Sequence, residues 1–102
     1  MSPDSIDWSR AVARWRIGQV VEVTVVEHVP FGVFAEMPGG IVGLVENPNL
    51  SRPPHTPDRV LPDVGTRLDA AIVDFVERHQ QVRLTIRPDH VAAARRGETP
   101  WR

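Results

Sequence analysis

The sequence predicts an all-β protein: a small closed or partly closed barrel of five short strands, with a short helix before it and a short helix or tail after it. Three observations predict this. The hydrophobic period changes from helical to two at Gly18. Five segments of alternating or short apolar character follow, most of them bounded by tight turn signals. One long proline-rich connection separates the third segment from the fourth.

The leading segment, residues 2–16, reads as a helix. Trp8, Val12 and Trp15 fall at i, i+4 and i+7 with Ala11 beside them, so they share one face. Ser2-Pro3 or Ser5 supplies the start signal, and Ile17-Gly18 ends it. From Gly18, Val21, Val23 and Val25 alternate with Glu22, Thr24 and Val26, as a half-buried strand does. His28-Val29-Pro30 turns the chain, and Phe31 to Met37 forms the second strand. Pro38-Gly39-Gly40 turns it again, and Ile41 to Val45 forms the third.

Residues 47–64 hold half of the chain's ten prolines. Proline removes a backbone donor and fixes φ, so this stretch excludes a central strand and reads as an ordered, irregular surface loop. Gly65 restarts the sheet. Leu68, Ala70 and Ile72 alternate with Asp69, Ala71 and Val73 in a fourth strand reaching about Phe75. Glu77 to Gln80 turns, and Val82, Leu84 and Ile86 alternate with Arg83, Thr85 and Arg87 in the fifth. Pro88 stops it, and Asp89 to Arg96 allows one or two helical turns ended by Gly97. The organisation is therefore an N-terminal helical extension over 1–16, a barrel over 17–88 and a C-terminal helix or tail over 89–102. One barrel with only short extensions is expected in 102 residues.

Composition narrows the functions. The chain is 41% apolar and 25% charged, which suits a globular fold. It lacks an apolar run long enough to span a bilayer and a basic, apolar leader, so neither a membrane partner nor secretion is expected and the cytoplasm is the default compartment. Cysteine is absent, which removes thiolate ligands, disulfides and cysteine nucleophiles. His28, His55, His79 and His90 form no metal-ligand spacing, so no metal site is expected. No phosphate loop or nucleophile elbow occurs, so neither a cofactor nor catalysis is expected.

Several stretches in this order resemble a known family. They are Gly18 to Glu22, Val25, Phe31-Gly32-Val33-Phe34, Gly39-Gly40-Ile41-Val42-Gly43-Leu44-Val45, Val64-Gly65 and Val82-Arg83-Leu84-Thr85. Together, over residues 17–88, they resemble the S-one domain, the RNA-binding repeat named after a ribosomal protein. The resemblance implies a five-stranded antiparallel oligonucleotide-binding (OB) barrel that binds single-stranded RNA. It also implies which residues face the RNA. The family's two strand-two aromatics match Phe31 and Phe34, and its acidic residue before the last strand matches Glu77. Its histidine after Gly-Leu-Val falls on Glu46, and its basic residue opening the last strand falls on Gln81, with Arg83 two residues on. Its strand-one glycine falls on Val23.

These departures bear on chemistry. Single strands bind such surfaces by stacking on aromatics and by a positive groove along the phosphates. Residues 17–88 carry nine acids and six arginines, a net −3, and Glu46 puts negative charge where a ring is expected. Phe31 and Phe34 are three apart, so they share a strand face only if Gly32 bends the chain; each is open to a core or a stacking role. Arg83 and Arg87 either grip phosphate or lie on a solvated face paired to Glu77 or Asp74. Arg10, Arg14 and Arg16 are expected in water with Trp8 and Trp15 on the barrel. Trp101, beside Arg95, Arg96 and Arg102, either packs back or meets a partner.

Two functions follow. In the first, single-stranded RNA stacks on Phe31 and Phe34, Arg83 and Arg87 meet phosphate with help from Arg52 or Arg59, and Glu46, Glu77 and Gln81 complete the face. A ribosome-associated or other protein partner is compatible with it. In the second, the barrel is a protein-interaction module that contacts its partner through loop 47–64 or the two ends, and RNA is irrelevant.

Overall fold

The computed structural model describes residues 3–46, 49 and 61–102. The expected roles of Arg52, Arg59, His55 and most of the proline-rich loop lie outside the described residues.

Helix α1 spans Pro3–Arg14 and is followed by five strands: β1 Val20–Val29, β2 Gly32–Glu36, β3 Val42–Glu46, β4 Arg67–Val76 and β5 Gln81–Thr85. A 3₁₀ turn at Glu77–His79 joins β4 to β5, and helix α2 spans Pro88–Arg95. The strands close into a barrel in the order β1-β2-β3-β5-β4. Among the described residues, no helix is long and apolar enough to cross a membrane.

Two strands of ten residues make closure possible. The first half of β1, Val20–Thr24, pairs with β4, and its second half, through Val29, pairs with β2. Its register shifts between Val25 and Glu27. β4 is shared in the same way between β1 and β5, with a shift between Ile72 and Asp74. An extra residue bends and twists a strand, so each bulge turns a corner of the barrel.

One pair departs from the expected all-antiparallel sheet: β3 and β5 run parallel. Arithmetic requires it. Strand directions can alternate all the way round a closed ring only if the strand number is even, and here it is five. The parallel pair spans three residues, Gly43 to Val45 against Val82 to Leu84.

The alternating valines of β1 point inward as expected: Val21, Val23 and Val25 are buried with Val33, Ala35, Val45, Ala70, Ile72, Val82 and Leu84. Met37 joins them just past the end of β2. Two glycines permit the packing. A Cβ on Gly32 would meet the Val45 carbonyl oxygen at 2.0 Å, and one on Gly43 would meet Leu84 Cδ1 at 2.6 Å.

The leading helix corrects one expectation. It ends at Arg14, so Trp15 lies beyond it, and Val12 is 45% exposed. The two tryptophans do join the core, with Trp8 edge-on to Phe75 at 6.2 Å between centroids. Arg10, Arg14 and Arg16 are in water, and the Arg14 guanidinium lies 4.6 Å over the Trp15 ring. Val12 instead borders an open groove with Trp8, Phe75 and Glu77.

The last strand corrects another. β5 ends at Thr85, which is fully buried instead of facing solvent with Arg83 and Arg87. Helix α2 is the reason. It buries Val91, Ala93 and Ala94, and it covers the outer face where Ala71 and Thr85 are register partners. Alternation holds only where one side of a sheet meets water, and here both sides are covered.

Gly32→Ala is expected to lower stability by roughly 3 kcal/mol or more, because β2 must separate from β3 to admit the methyl group. Urea unfolding of the variant beside the wild type measures this, and an unchanged midpoint contradicts the close approach.

Candidate nucleic-acid interface

The outward face of β2, β3 and β5 is assembled by register. Phe34 of β2 is opposite Leu44 of β3, Leu44 is beside Arg83 of β5, and Arg83 is opposite Asp74 of β4. The four form a row across the barrel wall. Leu44 is only 8% exposed, yet it stands outside the interior core cluster. It is the apolar floor of this face, and no charge or aromatic signal distinguishes it in the sequence from its core-facing neighbours.

Phe31 lies in the turn before β2, where β2 was expected to include it. This resolves the three-residue spacing. The turn swings Phe31 to the outside, 52% exposed, and its ring meets the half-buried Phe34 edge-on at 6.4 Å and 89°. Such a pair offers aromatic surface to a base without a bend inside the strand.

Glu46 and Arg83 are joined. Arg83 Nη2 lies 2.6 Å from Glu46 Oε1, with side chains 38% and 37% exposed. The partner is neither Glu77 nor Asp74, the two that the solvated-face reading of Arg83 expects. The parallel pairing sets Leu44 beside Arg83, and Glu46 is two residues further along β3 on the same face. At this exposure the pair adds little stability. Its effect is electrostatic: the carboxylate cancels the one cation at the centre of the row.

The remaining expected residues are dispersed. Gln81 opens β5 on the same strand face as Arg83 and is half-buried. Glu77 starts the 3₁₀ turn, is exposed, and borders a groove with Trp8, Val12 and Phe75 of the α1 side. Arg87 has left the strand for the N-cap of α2. There it makes two hydrogen bonds to Asp89, Nε to Oδ1 at 3.1 Å and Nη2 to Oδ2 at 2.7 Å. The Arg87 hydrogen bond holds the Asp89 carboxyl down at about 2. An arginine whose Nε–Nη2 edge is already taken by a carboxylate is a poorer phosphate ligand. Among the described residues, no group of histidines and carboxylates is placed to hold a metal ion.

Trp101 packs back on the domain, edge-on to His90 at 5.6 Å. His90 is buried, with Nδ1 2.8 Å from Thr85 Oγ1. Burial first, and then the Arg87 charge, push its pKa below the ordinary value, against the opposing pull of Asp89. Trp101 and Arg102 border a cavity of about 340 Å³ that also touches Glu46, Asp74 and Arg83.

With this geometry in view, the comparisons decide the family. The sequence profile of the S1 RNA binding domain, the S-one domain of the resemblance above, matches residues 14–87. The chain belongs to the S1 RNA-binding domain family. It is 26% identical over 80 residues to small ribosomal subunit protein bS1 of Chlamydia muridarum, covering 78% of this chain and 14% of that protein. This S1 chain therefore spans about one seventh of the relative it matches. Among solved structures it is similar to the a/eIF2alpha-aDim2p-rRNA complex of Pyrococcus horikoshii, with a TM-score of 0.67 and 18% identity over 81% of this chain and 50% of that one. It is also similar to Mycoplasma genitalium RNase R in complex with ribose-methylated single-stranded RNA, at 0.65 and 17% over 81% and 14%. At these identities the structures establish the shared fold.

The His90 shift has a consequence for stability. A histidine held neutral binds its proton less readily folded than unfolded, so its contribution is complete above about pH 6.5 and is lost as pH falls below it. The urea midpoint is expected to drop from pH 7 to pH 5 in the wild type and to drop less in His90→Gln. Equal slopes exclude this role for His90.

Proposed function

We propose that the chain is a non-catalytic RNA-binding module that takes single-stranded RNA on the outer face of β2, β3 and β5. The observation that carries this reading is the Phe31–Phe34 pair, placed beside Leu44 and Arg83 on the face that the S1 resemblance assigns to RNA. Bases stack on the two rings, and the strand runs over Leu44 toward Arg83. Base–aromatic stacking is worth about 1–3 kcal/mol per base, so two rings suffice for modest affinity. Two relatives named for the ribosome and for single-stranded RNA support an RNA partner, and the ribosomal one supports a cytoplasmic place of action.

Glu46 acts on affinity through Arg83. Phosphate must displace the carboxylate from the guanidinium before it can use that charge. With Arg87 held by Asp89 as well, few phosphates are neutralised. The slope of log affinity against log salt is expected near −1.4, about −0.7 for each of two phosphates. The same neutralised face also favours a second reading, in which the barrel docks a protein partner and RNA affinity is slight.

Titration with fluorescent single-stranded RNA at about 50 and 200 mM salt separates the two. Phe34→Ala is expected to weaken binding about tenfold. Arg83→Ala weakens it and flattens the salt slope, and Glu46→Gln strengthens it several-fold. Absence of binding by the folded wild type at low salt rejects the RNA reading and leaves the protein-partner reading.

A further inference from the structure

The cavity behind Arg83 is not explained by stacking on Phe31 and Phe34. It lies at the other end of the row, where the β4 bulge carries Asp74 and where Trp101 and Arg102 close over the barrel wall. Its volume of about 340 Å³ is at the lower end of the range for small-molecule sites. Two of its residues hold buried N–H donors, Arg83 Nε and Trp101 Nε1, with no hydrogen-bond partner among the described residues. A buried donor without an acceptor is costly, so both residues favour a ligand that brings an acceptor into the cavity.

The charges on the wall select the ligand. Arg83 and Arg102 are matched by Glu46 and Asp74, and Asn49 adds an amide. A bare phosphate would meet two carboxylates. A nucleobase fits better, because its edge carries donors and acceptors side by side and its face can rest on an indole. Among the bases, guanine presents O6 and N7 to arginine and N–H donors to a carboxylate. Uracil offers one donor between two acceptors. The Phe75 amide donates to Asp74 Oδ1 at 2.7 Å and so holds this carboxylate at the cavity wall.

Resting on the RNA-binding reading, we infer that this cavity is a nucleobase subsite with a preference for guanine, in which Trp101 packs on the base, Arg83 and Arg102 donate to it and Asp74 accepts from it. The subsite lengthens the RNA path beyond β5 and makes residues outside the matched region 14–87 part of the interface.

The test titrates the full chain, ¹⁵N-labelled, with 5′-GMP and with 5′-UMP, and separately with single-stranded hexamers of uracil alone or with guanine. The Trp101 indole N–H resonance is assigned by its loss in Trp101→Phe. It is expected to move with GMP and far less with UMP. Trp101→Ala is expected to weaken the guanine-containing hexamer about tenfold, while Trp101→Phe retains most of the affinity. Asp74→Asn, an exposed change that leaves the packing intact, should remove about tenfold of the preference for guanine over uracil. If RNA binds but the indole resonance stays still and neither Trp101→Ala nor Asp74→Asn alters affinity, the subsite is overturned and the RNA-binding reading survives. If GMP moves the resonance while no RNA binds, the subsite stands and the RNA-binding reading fails. If neither ligand has any effect, both are wrong.

Discussion

Closing five strands into a ring is the constraint on which the rest of this molecule depends. An odd ring must contain a parallel neighbour pair, and here it falls between β3 and β5. That pair carries the centre of the candidate interface. It sets Leu44 beside Arg83 and brings Glu46, near in space and far in sequence, within 2.6 Å of the guanidinium. Without β3 and β5 as neighbours, Leu44 and Glu46 would not stand beside Arg83. The ion pair is therefore a consequence of topology as much as of residue choice.

Closure also explains the two bulged strands. β1 and β4 are each shared between two partners, and each bends where its register shifts. The bend in β4 falls next to Asp74, on the wall of the cavity that Trp101 covers. Bulges commonly re-aim side chains beside functional sites, and this one falls where β4 meets the cavity wall at Val73 and Asp74. The face thus runs from aromatic at Phe31 and Phe34, through aliphatic at Leu44, to mixed charge at Arg83, Glu46 and Asp74. That gradient suits a strand of bases more than a run of phosphates, in keeping with a barrel of net −3.

Helix α2 supports the far edge of the candidate interface. It shields Thr85 and His90 from water, and His90 in turn supports Trp101. The Arg87–Asp89 pair at its start takes a second arginine away from phosphate. Stability of this corner and openness of the face are therefore in competition for the same cations.

Much of the fold was legible in the sequence. The valines at 21, 23 and 25 alternate because one side of β1 meets the core and the other meets water, and that contrast is written residue by residue. Turn residues at Pro38-Gly39-Gly40 and the break at Gly65 set the neighbouring strand ends for equally local reasons. Phe31 and Phe34 were legible as candidates from the matched motif. What the tertiary structure alone decided is long-range. It placed Phe31 in a turn, buried Thr85 under α2, left Val12 in water, and gave Arg83 to Glu46 instead of Asp74 or Glu77. It also folded Trp101 back against the cavity. Each of these depends on which strands become neighbours when the ring closes. Local periodicity records whether a side chain faces core or water, and carries no record of what stands across from it.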